Sequence, residues 1–264
     1  MSTLNIFKDA LSFPIKEWKK WLILGVLMVI LSIFKVLTSF GIITSSFLPP
    51  IIEAILALVI AIVFGFAIAG YKISIIKDTI NNSAIMPSFN IRNDFFMGVK
   101  YVVLAIVYYI IPAIIIFVTA YLTNAFNYLH MLYSHYTMYG SVATSTLSTS
   151  ADISLLIVIM VSLLVLVIFE ILLIIATAVF AETGKLTSAM NMKNVIVKIS
   201  EIGWKNYIIW LIIYLIAFII MDLVISLVHL IPMFWSLIIP LFISSYFAIF
   251  ISRAVGLLYS SSNN

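Results

Sequence analysis

Residues 70–100, GYKISIIKDTINNSAIMPSFNIRNDFFMGVK, decide how the rest of the chain is read. Lys72, Lys77, Arg92 and Lys100 surround the turn-forming Asn81-Asn82-Ser83 and Pro87, and a long apolar run lies on either side. A hydrocarbon core roughly 30 Å thick takes about 20 apolar helical residues to cross, so a charged, punctuated segment between two such runs marks a loop joining two membrane spans.

Composition extends that reading to the whole molecule. The chain is 64% hydrophobic and 9% charged, with mean hydropathy +1.26, whereas charged residues make up about 25% of an ordinary soluble domain. Such a chain lacks the polar surface to cover a water-soluble globule. Cysteine is absent, which excludes disulfides, thiol nucleophiles, iron–sulfur ligation and cysteine-based zinc sites. The expected fold is all-α: an integral membrane bundle of six transmembrane helices forming a single domain over 1–264. Spans are expected at about 21–43, 51–70, 101–123, 153–179, 206–230 and 233–252. The first is too long to be the apolar core of a cleaved signal peptide.

Outward from the central loop, the polar punctuation repeats. Leu4, Phe7, Leu11 and Ile15, interleaved with Lys8, Asp9, Lys16 and Glu17, describe an amphipathic helix bent at Pro14. Met192, Ile196, Ile199 and Ile202 form a similar stripe among Lys185, Lys193, Lys198 and Lys205. With the segment from Phe89, this predicts in-plane helices before the first, third and fifth spans, each ending at an aromatic–cation pair: Lys20-Trp21, Lys100-Tyr101 and Trp204-Lys205. Three helical hairpins, each preceded by an in-plane helix, are the economical description, although interfacial anchoring alone explains the pairs. Thr44-Ser45-Ser46 with Pro49-Pro50, residues 124–152 and the region of Pro232 carry no Lys or Arg and form the opposite loops. By the positive-inside rule the cationic segments and both termini face the cytoplasm.

Ala69-Gly70-Tyr71-Lys72, Met86-Pro87-Ser88-Phe89, Phe96-Met97-Gly98-Val99-Lys100 and Tyr109-Ile110-Ile111-Pro112 resemble an archaeal multi-pass membrane family known as domain of unknown function 4013. Phe180-Ala181-Glu182-Thr183-Gly184, Glu201-Ile202-Gly203-Trp204-Lys205-Asn206-Tyr207 and Ser252-Arg253-Ala254-Val255-Gly256-Leu257-Leu258-Tyr259 are similar to its later punctuation. The resemblance implies an archaeal cell-membrane protein with this helix layout and supplies no catalytic or binding residues.

Ionisable groups within spans cost a few kcal/mol on insertion scales and mark sites or packing pairs. These are Lys35, Glu170 and Asp222, with Glu53 closer to the surface. Lys35 lies about 8 residues, roughly 12 Å, from the outer end of its span, and Asp222 lies at a similar depth, which suggests that the two pair. Glu170 has no cation at matched depth. His130 and His135 are five apart, off the spacing of one helix face, and do not make a metal site on their own. Ser74 and Lys77 match a Ser-x-x-Lys spacing without its partner motifs. No catalytic motif is present, so the chain is read as a non-enzyme without a cofactor. Its expected partners are the bilayer and anionic lipid headgroups at the Lys/Arg clusters, not nucleic acid. Two function classes remain, with the first preferred and the second the alternative. A transporter or channel component for a small solute or ion is favoured by the intramembrane charges and by Pro112 within a span. A membrane-organising or partner-docking scaffold is favoured by the scarcity of polar residues within spans. The fourth to sixth spans offer no counterpart to Pro112, which argues against an inverted-repeat carrier.

Overall fold

The computed structural model describes residues 3–42, 49–139, 149–231 and 234–261, and among these every regular element is helical. The chain opens with α1 (Thr3–Lys16), which runs through Pro14 and breaks at Glu17. Next come α2 (Trp18–Leu31) and α3 (Ile33–Ser39), which meet at Ser32 with a bend of 77°. Ser32 Oγ donates to the Met28 carbonyl at 2.9 Å, a side chain competing for the backbone ladder where the helix turns. The straight first span expected at 21–43 is therefore a bent pair, and the linker at Thr44-Ser45-Ser46 lies outside the described residues.

Helix α4 (Pro50–Ile80) begins with proline at its first position, where the missing N–H costs nothing. It does not stop at Gly70 but continues to Ile80. Gly70 is a contact: a Cβ there would sit 1.7 Å from the Asp94 carbonyl oxygen, and one on Gly98 would sit 1.8 Å from that of Phe66. The two glycines let α4 cross α5 (Ile91–Leu122) backbone to backbone. Residues 91–100, expected to be part of a separate in-plane helix, are the first turns of α5, which also runs uninterrupted through Pro112. The expected outer loop holds a helix of its own, α6 (Ala125–Tyr139), entered through Asn124 at φ 59°.

Helix α7 (Thr149–Thr183) is followed by α8 (Leu186–Met190), α9 (Met192–Ile202) and, after Gly203, α10 (Trp204–Val228). Pro232 lies outside the described residues. The last span starts as α11 (Trp235–Ile238), widens into a π-helical segment at Ile239–Ser244 and ends as α12 (Ser245–Ser260). Pro240 sits in that segment, so the later spans do contain an interruption. Five helices are long and apolar enough to cross a membrane, and the bent α2–α3 pair makes a sixth if it is one broken span.

The chain packs as two units, residues 1–104 with 175–264, and residues 105–174. In the first, α1, α2, α4 and α12 enclose Phe13, Leu24, Ile68, Tyr71, Ile75, Met86 and Ile249. In the second, Leu173, Tyr108, Ala120, Ala125, Ala151 and Val165 are buried, and Phe117 packs on Phe126 with ring centroids 5.5 Å apart.

Candidate functional site: a polar clasp and an apolar cleft

The lysine-bearing end of the first unit is closed by polar contacts from parts of the chain far apart in sequence. Arg253 on α12 is only 7% exposed. Its Nε donates to Asp9 Oδ1 on α1 at 2.9 Å, and its Nη1 donates to the Ser83 carbonyl at 2.6 Å and to Thr79 Oγ1 at 3.3 Å. The guanidinium also lies 4.4 Å from the centroid of the Phe13 ring. A planar cation with a fork of donors, stacked on an aromatic, suits a site where α1, α4 and the following loop converge.

A second junction forms at the start of α5. Asp94 is 3% exposed. One carboxylate oxygen accepts the Asn90 N–H and the other the Ser74 hydroxyl, both at 2.8 Å, while Asn90 Oδ1 caps the Asn93 N–H at 3.1 Å. The reciprocal bonds at the first turn place the acid where the helix dipole favours it. They also engage Ser74, the serine of the Ser-x-x-Lys spacing. Tyr71 donates to the Pro87 carbonyl at 3.0 Å, and the Lys20 ammonium donates to that of Met86, so the loop after α4 is fastened at both faces. Tyr259 donates to Glu182 at 2.5 Å, and Lys198 lies 4.6 Å from the Tyr259 ring centroid while pairing with Glu201 at 3.1 Å, tying α12 to α7 and α9.

The other half of the first unit holds an apolar cleft of about 540 Å³. Its walls are one face of α10, namely Ile213, Ile216, Ala217, Ile220, Met221 and Val224, with Phe242 and Ile243 of the π-helical segment, Tyr246 and Phe250 on α12, Trp21 on α2, and Phe7 and Leu11 on α1. Gly25 explains why one side of the π segment is shut: a Cβ there would lie 2.1 Å from the Leu241 carbonyl oxygen, so α2 presses directly on it. Trp21 Nε1 donates to Ser245 Oγ at 2.9 Å and to the Phe242 carbonyl at 3.2 Å, and Ser245 Oγ donates to the Leu241 carbonyl at 2.6 Å. These bonds satisfy carbonyls at the break in the ladder. Tyr246 donates to the Leu11 carbonyl at 2.6 Å. At the edge of this region Trp210 is buried against Phe7 and Tyr214, and its indole nitrogen has no hydrogen-bond partner among the described residues.

None of the intramembrane charges singled out from sequence lines the cleft. Lys35 sits on α3, beyond the bend, with its ammonium 4.6 Å from the centroid of the Trp235 ring. Asp222 is exposed on α10, and no ion pair joins it to Lys35 among the described residues. Matching their depths assumed a straight first span, and the 77° turn at Ser32 removes that basis. Glu170, in the second unit, is not an orphan: the Tyr109 hydroxyl on α5 donates to its carboxylate. His130 is exposed on α6, and the side chain of His135 lies outside the described residues. Among the described residues no three His, Asp or Glu side chains gather as metal ligands. Arg253 and the cleft escaped the sequence reading. Arginine is used only at 92 and 253 in a chain whose cations are otherwise lysine, and that was the available signal for the first.

A family model described as "Protein of unknown function (DUF4013)" matches residues 53–230. The match takes in α4 to α10 and ends before α12. No curated protein and no solved structure matches the chain.

Proposed function

This chain belongs to the DUF4013 family, whose description assigns no activity, and we propose from its geometry that it is a non-catalytic membrane-organising protein that presents cationic helices to anionic lipid headgroups. The observation that carries this reading is the contrast between the two ends of the first unit. The lysine-bearing end is clasped by Arg253 and Asp94, while the cleft beside it is walled by apolar residues and touches none of Lys35, Glu170 and Asp222. A carrier of a polar solute needs polar groups facing its path. On this reading α1 and α9 lie in the plane of the cytoplasmic leaflet of an archaeal cell membrane, with both termini cytoplasmic. Leu4, Leu11 and Ile15 on α1, and Ile196 and Val197 on α9, are exposed beside Lys8, Lys16 and Lys193. Each lysine near an anionic surface contributes about 1 kcal/mol.

Extraction in native nanodiscs tests it. Anionic lipid should be enriched around the protein relative to the surrounding membrane, and Lys8→Gln/Lys16→Gln/Lys193→Gln should bring its share back to the bulk value. Enrichment that survives the triple change would discard the reading. The transport reading retains one specific support: helix breaks at Ser32 and Ile239–Ser244 lie in neighbouring elements, as in carriers with interrupted helices. Proton or cation flux in reconstituted vesicles that Asp222→Asn abolishes would establish it instead.

A further inference from the structure

We propose that the cleft between α10 and the π-helical segment holds one hydrocarbon chain of an anionic membrane lipid, with its headgroup on Lys8 of α1. The inference goes beyond the organising role, because it requires only that the chain sits in a bilayer. Three observations carry it. The first is chemistry. The two polar groups at the wall are already engaged, Trp21 by Phe242 and Ser245 and Tyr246 by Leu11, so water gains no partner there. Apolar walls left without an occupant lose dispersion contacts that neighbouring lipid chains supply.

The second is size. The α10 wall runs from Ile213 to Val224, about 16 Å at 1.5 Å per residue, close to one leaflet of a core roughly 30 Å thick. A volume of about 540 Å³ falls within the roughly 300–1,000 Å³ of small-molecule sites. The third is charge. Phe7 and Leu11 wall the cleft, and Lys8 shares an exposed face of α1 with Leu11, one turn away. Lys8 joins none of the ion pairs among the described residues, so its ammonium is available to a phosphate. The π segment fixes the shape. It is held on one side by α2 at Gly25 and bonded by Trp21, so its other side presents Phe242 and Ile243 as a set wall.

The experiment reconstitutes the full chain in vesicles of phosphatidylcholine and phosphatidylglycerol, re-extracts it into mild detergent and weighs retained lipid by native mass spectrometry. Wild type should keep one lipid, preferentially phosphatidylglycerol. Ala217→Trp fills the cleft and should lower retention severalfold, and Ala217→Leu should act in the same direction more weakly. Leu215→Trp, on the opposite face of α10, should retain lipid as wild type does. Lys8→Gln should keep the lipid but lose the headgroup preference. No retained lipid in wild type, or equal retention in the two tryptophan variants, overturns the cleft as the site. An unchanged preference in Lys8→Gln overturns the headgroup assignment. Loss of lipid from the cleft leaves anionic enrichment around α9 standing, so the two readings fail separately.

Discussion

Arg253 can fasten three segments because its guanidinium offers donors in a plane, whereas a lysine ammonium in the same place is a point charge on a flexible stem. Arg253→Lys should therefore lower stability in detergent, measured by denaturant or heat, by about 2 kcal/mol, the scale of the charge-assisted bonds to Ser83 and Thr79 that one ammonium cannot make together with Asp9. Asp9→Asn should cost less, about 1 kcal/mol, because Asp9 is 32% exposed and its charge is screened. Equal stability of Arg253→Lys and wild type would remove the clasp as a stabilising feature. Glu170 calls for a different substitution set. If its role is to accept from Tyr109, Glu170→Gln keeps an acceptor and stays near wild-type stability, while Tyr109→Phe and Glu170→Leu each lose about 1 kcal/mol or more. A large loss for Glu170→Gln alone would point to a need for the charge itself. These contacts were illegible in sequence for a plain reason. Asp9 and Arg253 are 244 residues apart, and the partner of Glu170 is the phenol of Tyr109 rather than a cation, one of many tyrosines with nothing in sequence to single it out.

At the scale of elements, the last span is shaped by an agreement between Gly25 and the π-helical segment. Ala is about 1 kcal/mol better than Gly in an ordinary helix interior, so Gly25→Ala would stabilise α2 if nothing opposed it. Here the added methyl meets the Leu241 carbonyl oxygen at 2.1 Å, a backbone atom that cannot step aside cheaply. The expected result is the opposite sign, a loss of roughly 1–3 kcal/mol as for overpacking, with weaker protection of the Ser245 region in hydrogen exchange. A stabilised Gly25→Ala would mean that α2 and the segment are not in close contact. The same pair shows where sequence reading works and where it stops. Hydropathy located every long helix, because burial in lipid demands about 20 apolar residues whatever the tertiary contacts. It misread what glycine and serine do within those helices. Gly70 looked like a helix end and is a crossing point, and Ser32, inside the span expected to run straight from 21 to 43, marks a bend of 77°. Both depend on what the backbone meets in space, which local pattern does not contain. Pro240 was visible in the sequence, but the Trp21 indole that donates to the Phe242 carbonyl beside the widened segment comes from a residue 221 positions away.

For the whole molecule, the bent α2–α3 pair decides how many times the chain crosses, and charge distribution gives the expected answer. If the pair re-enters and returns to its own side, Lys8 and Lys16 before it fall on one side of the membrane, and Lys72, Lys77 and Arg92 after α4 fall on the other. That divides the cations between two compartments, against the positive-inside bias. If the pair crosses, all of these share one side with Lys185, Lys193 and Lys205 after α7. Because the chain has no cysteine, a single introduced thiol reports its own position without background. Cysteine at Leu4, Ser83 or Asn191 should react with a membrane-impermeant maleimide only after the membrane is permeabilised, while cysteine at Asn127 should react in sealed cells. Labelling of Ser83→Cys from outside, with Leu4→Cys protected, would show that α2–α3 is a re-entrant hairpin and that the chain crosses five times.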